Sequence, residues 1–142
     1  AGFLLTSVLD VIKNGETQIA ILDASAACHM PDVLEMPYRP PLLGTDGPEE
    51  GGLTVRLGGP TCLSGDMIGD YKFRQLPKYG DLLLFGDMAI YTTCKNNTFN
   101  GMPLPDIWLR RADDTMLQLT KFGYADFKER LGSRERNTFE SL

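Results

Sequence analysis

The sequence predicts a mainly β domain, a small barrel or sandwich, closed by one short helix near its C-terminal end. Three observations predict it. Two apolar runs flank an Asn14-Gly15 pair, which is the strongest short-range hairpin signal. Further short apolar runs are separated by turn residues instead of being joined by helical periodicity. Fifteen glycines and nine prolines among 142 residues favour many turns over long helices.

The elements follow in order. Residues 3–12 are rich in Leu, Val and Ile, and residues 17–23 form a second mainly apolar run, so the two read as paired strands. A helix over 6–13 is the rival reading, because Leu5, Val8, Leu9 and Ile12 also fit helical spacing. Residues 28–52 are punctuated by five prolines and four glycines and read as an irregular connection. Residues 53–57 form a strand that enters the loop around Cys62. Residues 81–85 and 89–93 read as two strands about Gly86-Asp87. A late hairpin joins 107–110 to 115–120 across Ala112, Asp113 and Asp114. Phe122, Ala125, Phe127 and Leu131 are spaced for a terminal helix over 122–131. The domain is expected to span residues 1–132, with a polar tail over 133–142.

Composition bounds the function. The net charge of −5 leaves no basic face to neutralise phosphates, so nucleic acid is not an expected partner. Basic residues near the end (Lys128, Arg130, Arg134, Arg136) alternate with acids and read as a solvated face. Three cysteines without CxxC spacing argue against a disulfide framework or a zinc site and point to a reducing, cytoplasmic setting. No stretch is long and apolar enough to span a membrane as a helix. The opening residues have neither an initiator Met nor a signal-peptide pattern, and the chain reads as one entered in the middle.

Several residues have the chemistry of a site. Cys62 lies in the loop GPTCLSGD (59–66), bounded by Gly and Pro. A thiol with a reference pKa of about 8.5 suits proton donation near neutral pH. The competing reading is a small buried hydrophobe. Asp66, in the same loop, can meet a substrate ammonium or hold the loop through backbone hydrogen bonds. Asp23 ends an apolar strand, where a carboxylate either sits at a barrel mouth or initiates a turn. Arg39 lies between prolines in MPYRPP (36–41), and its planar fork suits a carboxylate. Tyr91 can donate to a phosphate or be a half-buried strand tyrosine. His29 is the single histidine. With Asp32 and Glu35 it makes only a weak metal pattern, and no metal is expected. Walker, dinucleotide and G-x-S-x-G motifs are absent.

Taken together and in order, these pieces resemble a known family. The segments ILD (21–23), HMPDVLEMPYRP (29–40), GPTCLSGD (59–66), FGDMAIYT (85–92) and NTFNGMP (97–103) look like the C-terminal β-domain of fold type III, alanine-racemase-like pyridoxal-phosphate decarboxylases. They are similar to the carboxynorspermidine/carboxyspermidine decarboxylases in particular, over almost the whole chain from about residue 2 to 131. The resemblance implies an enzyme whose N-terminal (β/α)8 barrel, with its Schiff-base lysine and glycine-rich phosphate loop, lies outside this chain. It also implies a head-to-tail homodimer with active sites at the interface. No lysine here, Lys13 and Lys72 included, sits in a matching lysine motif.

By the same resemblance, Cys62 protonates the substrate Cα after CO2 leaves, reaching into the partner subunit's site. Asp66 shapes its loop, Tyr91 contacts the phosphate of pyridoxal 5'-phosphate, Asp23 meets a substrate amino group, and Arg39 binds a substrate carboxylate. Leu63 departs from the wider superfamily, where an acid directly follows the cysteine in ornithine and diaminopimelate decarboxylases. That departure favours a longer, carboxylated polyamine as substrate. The rivals are a decarboxylase of the same fold with one of those shorter substrates, a non-catalytic relative, and a free-standing binding module. The isolated chain is expected to be inactive as a decarboxylase.

Overall fold

The computed structural model describes residues 2–44 and 51–132. The predicted tail, 133–142, lies outside the described residues, as do Gly47 and Pro48 of the irregular connection.

The first two strands are β1 (Leu4–Asn14) and β2 (Thr17–Leu22), antiparallel in register Asn14↔Thr17. Their turn is Gly15-Glu16, one residue later than the Asn14-Gly15 pair that signals it. The rival helix over 6–13 does not form, because Thr6 and Val8 point inward while Leu5 and Leu9 point out, a period of two. The connection that follows carries two single-turn helices, α1 (Ala26–His29) and α2 (Asp32–Glu35), in place of a wholly irregular segment.

The chain returns as β3 (Leu53–Gly58), paired parallel to β2 with Gln18 opposite Val55 and Ile21 opposite Gly58. It then turns back as β4 (Met67–Phe73), antiparallel to β3. β5 (Leu82–Phe85) pairs antiparallel with β1, so the sheet order is β4-β3-β2-β1-β5. The core lies inside the curl of this sheet. Val8, Ala20, Leu22, Val55, Leu57, Ile68, Tyr71, Leu83 and Phe85 fill it, with Met30, Leu42 and Met88 from the connections.

A strap over residues 40–43 draws the two sheet edges together. Leu43 N–H donates to Leu84 O (3.0 Å) and Gly86 N–H to Pro41 O (2.8 Å), so the strap pairs with the free edge of β5. On the β4 side, the buried Tyr71 hydroxyl donates to Pro40 O at 2.8 Å. The Tyr71 and Phe85 rings then meet edge to face, with centroids 5.9 Å apart.

Beyond β5 one expectation is corrected. Residues 89–93 are not a strand: Ile90 takes φ +65 and Tyr91–Cys94 is a single helical turn, α3. β-branched and aromatic residues raise strand propensity, but the edge of β5, the strand this segment follows, is already paired with the strap. β4 is an element the sequence reading does not contain. The late hairpin, β6 (Ile107–Arg110) with β7 (Met116–Thr120), and the terminal helix α4 (Tyr124–Arg130) form as expected. No helix among the described residues is long and apolar enough to cross a membrane.

Tyr71→Phe removes the hydroxyl that serves the strap and leaves the Pro40 carbonyl unpaired. The expected cost is about 1–3 kcal/mol, read as a lower urea midpoint with an unchanged slope.

Candidate functional site

Strand polarity sets the site. β2 and β3 run parallel, so their C-terminal ends share one end of the sheet, with Ile21 opposite Gly58. Asp23 leaves that end of β2, and the Cys62 loop leaves that end of β3. β1 begins there and β5 finishes there, with Leu4 opposite Phe85. The segment that carries Tyr91 therefore emerges at the same end. The segments carrying three of the sequence-predicted residues, Asp23, Cys62 and Tyr91, thus all leave the sheet at the same end.

The Cys62 loop is built around Asp66. This aspartate is only 3% exposed. One carboxylate oxygen accepts from Ser25 Oγ (2.9 Å) and from the Ala27 N–H (3.2 Å). The other accepts from Thr61 Oγ1 (2.6 Å) and the Thr61 N–H (3.2 Å). A buried carboxylate needs this degree of satisfaction to stay in place. The loop closes through Gly59 N–H to Asp66 O (2.8 Å). Gly59 is required by space: a Cβ there would sit 2.3 Å from the Asp66 carboxylate. Asp66 thus spends its carboxylate inside the loop, and Cys62 is held exposed on the outside. The buried-hydrophobe reading of Cys62 is corrected by that exposure.

Ser25 continues the network. Its hydroxyl also caps α1 by accepting from the Cys28 N–H (3.1 Å). Its backbone N–H donates to His29 Nδ1 (3.1 Å), and His29 Nε2 donates to Pro103 O (2.9 Å). With Nδ1 accepting, Nε2 carries the hydrogen and the ring is neutral. Burial holds the His29 pKa below its ordinary value, against the opposing pull of the Pro103 hydrogen bond. Both ring nitrogens are spoken for, and Asp32 and Glu35 instead face Lys95. Cys28 is buried, and burial pushes its thiol pKa up.

Asp23 is exposed and anchored from below. It accepts from the Thr6 hydroxyl, from Ser7 Oγ (2.6 Å) and from the Ser7 N–H (2.8 Å). Burial opposes its ionisation, but these hydrogen bonds outweigh it and hold the carboxyl below its ordinary range. The result is a fixed negative charge suited to an ammonium group.

Arg39 sits apart, three residues in from the site end of β4. It donates to Asp70 O, and its guanidinium carbon lies 5.2 Å from the Tyr71 ring centroid. Gly69, at φ +147, makes the room: a Cβ would come within 2.9 Å of Arg39 Cδ. Arg39 lines an open groove of about 520 Å³ with Met36, Tyr38, Arg56 and Asp70. Arg56 forks onto Asp70 at 2.7 and 2.9 Å. Tyr38, next to Arg39, reaches Asp87 with its hydroxyl at 2.8 Å and so ties this wall to the Tyr91 segment.

Tyr91 is 69% exposed, on a helix and not on a half-buried strand as expected. Sequence reasoning missed Ser25, Thr61 and Lys95. Ser25 could have been found as a capping residue ahead of Ala26. Thr61 could have been found as the hydroxyl beside Cys62. Lys95 was missed because the carboxylates it meets are 60 and 63 residues away.

The neutral, buried His29 gives a pH dependence. Its folded pKa lies below the unfolded value of 6.5, so its stabilisation is fully present above pH 6.5 and is lost as the pH falls toward the folded value. The urea midpoint is expected to decline below pH 6.5, and His29→Asn to lose that part of the slope.

Comparisons with known proteins agree with this fold. The family described as "Pyridoxal-dependent decarboxylase, C-terminal sheet domain" matches residues 1–89. The chain is 50% identical over 132 residues to a carboxyaminopropylagmatine decarboxylase of Synechocystis sp., covering 92% of this chain and 34% of that protein. It is 39% identical over 140 residues to a carboxynorspermidine/carboxyspermidine decarboxylase of Campylobacter jejuni, covering 91% of this chain and 36% of that one. The crystal structure of carboxynorspermidine decarboxylase from C. jejuni, complexed with norspermidine, superposes with a TM-score of 0.83 at 38% identity. That match covers 90% of this chain and 38% of the other. The chain thus spans about a third of the length of the curated relatives it matches. It belongs to the C-terminal sheet domain family of the pyridoxal-dependent decarboxylases.

Proposed function

We propose that this chain is the sheet-domain part of a pyridoxal-phosphate-dependent decarboxylase acting on a carboxylated polyamine, and that it supplies one half of the active site. The observation that carries the reading is an exposed thiol on a hydrogen-bonded loop at the end of the sheet that also carries the Asp23 carboxylate, in a chain 50% and 39% identical to enzymes named for such substrates.

Each residue has a role in this reading. Cys62 delivers a proton to the substrate Cα. Asp66, Ser25 and Thr61 hold its loop. Asp23 receives a substrate ammonium, and Arg39 offers guanidinium donors to a carboxylate from the wall of its groove. Among the described residues the exposed Tyr91 hydroxyl fits one contact with the cofactor phosphate. No lysine of this chain is assigned to hold the cofactor. When bound, pyridoxal phosphate supplies the electron sink that lets the Cα–carboxylate bond break. The exposure of Cys62 suits a homodimer in which the thiol completes the partner subunit's site, and the free thiols suit the cytoplasm.

Carboxynorspermidine and carboxyspermidine are the first substrates to consider. A second reading, carboxyaminopropylagmatine, is favoured by the higher of the two identities. All three names describe a carboxylated aminopropyl head on a cationic tail. The apolar Leu63 beside the thiol suits tails whose charge is met elsewhere.

The test is CO2 release by the full-length protein on these three compounds, diaminopimelate and ornithine. Preference for a carboxylated polyamine is the expected result, and absence of turnover on all five would move the protein to a non-catalytic relative. The 142-residue chain alone is expected to release no CO2. Cys62→Ala should lower turnover by about 10²–10⁴-fold, the usual contribution of a positioned acid, or divert the proton to the cofactor, with pyridoxal phosphate still bound. Wild-type turnover and product partition in that variant would remove Cys62 from the mechanism.

A further inference from the structure

Tyr91 stands on a helix of one turn, α3. A single turn does not hold its own shape, because nucleation fixes several dihedrals for one hydrogen bond. Ile90, just before it, is at φ +65, a conformation a β-branched residue resists. The orientation of the Tyr91 ring must therefore be set by contacts beyond the turn's own hydrogen bonds.

Lys95 is placed to do this. Its backbone N–H donates to Tyr91 O at 2.8 Å. Its ammonium lies 5.8 Å from the Tyr91 ring centroid, within cation–π range. The same ammonium donates to Asp32 and to Glu35 (3.0 Å), the first and last residues of α2. One ammonium facing two carboxylates leaves the cluster with a net charge of −1. Lys95 is thus spent on α2 and is not a free cation for an anionic ligand. Its geometry is that of a clamp.

We propose that Lys95 is a positioning residue. Braced by Asp32 and Glu35, it fixes the Tyr91 ring, and with it the hydroxyl that contacts the cofactor phosphate. The inference rests on the reading of Tyr91 given above and adds to it the groups that aim the hydroxyl.

The experiment titrates the full-length apoprotein with pyridoxal phosphate, and separately with pyridoxal, which lacks the phosphate. Tyr91→Phe is expected to weaken pyridoxal phosphate about tenfold and to leave pyridoxal unchanged. Lys95→Met should weaken pyridoxal phosphate by about three- to tenfold, again sparing pyridoxal. Their combination should be no weaker than Tyr91→Phe alone, since a clamp without its hydroxyl has nothing to aim. Lys95→Arg should restore most of the affinity. If Lys95→Met does not fold, Asp32→Asn with Glu35→Gln carries the same expectation.

Wild-type binding of both ligands by Tyr91→Phe would overturn the reading of Tyr91. A weakened Tyr91→Phe beside an unaffected Lys95→Met would overturn the clamp alone. So would Lys95→Met losing pyridoxal and pyridoxal phosphate equally, or an additive double variant.

Discussion

The buried carboxylate of Asp66 is the interaction on which the rest of the site depends. It gathers donors from three places in the chain: the Ser25 hydroxyl, the Ala27 N–H, and both donors of Thr61. A carboxylate removed from water is costly unless each oxygen is met, so these positions constrain one another. Gly59 can carry no side chain, because the carboxylate occupies that volume. Ser25 must present a hydroxyl that both donates to Asp66 and accepts from α1. The network then runs through His29 to Pro103, outside the sheet. Cys62 owes its fixed position to a residue that touches nothing beyond the loop's own supports.

The sheet supplies the second constraint. Its one parallel pair, β2 with β3, brings two strand ends to the same edge, where an antiparallel pair would alternate them. The strap at 40–43 closes the curl that this sheet opens, and it places Arg39 along β4 instead of at the site end. The groove that holds Arg39 is linked to the Tyr91 segment through Tyr38 and Asp87. The walls are therefore mechanically connected even where they do not share a pocket.

Much of this was legible in the residues themselves. The first hairpin is announced by its Asn-Gly pair, and the late one by the Asp-rich turn at 113–114. Strand β4 was not legible, for a specific reason. Leu57 pairs with Gly69 and Gly58 with Met67, which leaves Ile68 as an extra residue in a bulge. Ile68 and Tyr71 both point inward although three residues apart, so the period of two that marks a strand is broken. The run at 89–93 misled in the opposite sense: its side chains favour a strand, and tertiary contacts impose a turn of helix. Cys62, Asp23, Asp66, Arg39 and Tyr91 stood out as candidates from their types and their settings in the sequence. Of the residues missed, Ser25 and Lys95 take carboxylate partners from across the fold, and Thr61 meets Asp66 five residues on.

The parallel pair also has a consequence for the order of folding. β1 with β2, and β3 with β4, are each joined by short connections and can form locally. Joining the two halves requires Gln18 to find Val55, 37 positions later (55 − 18), and the Ser25–Asp66 lock closes across 41. Closing such long loops carries an entropic cost that no contact repays until pairing is made, and non-local pairings are slow. A chain with both halves formed but not yet joined has most of its sheet and no site. The geometry around Cys62 is thus among the last things this sequence acquires.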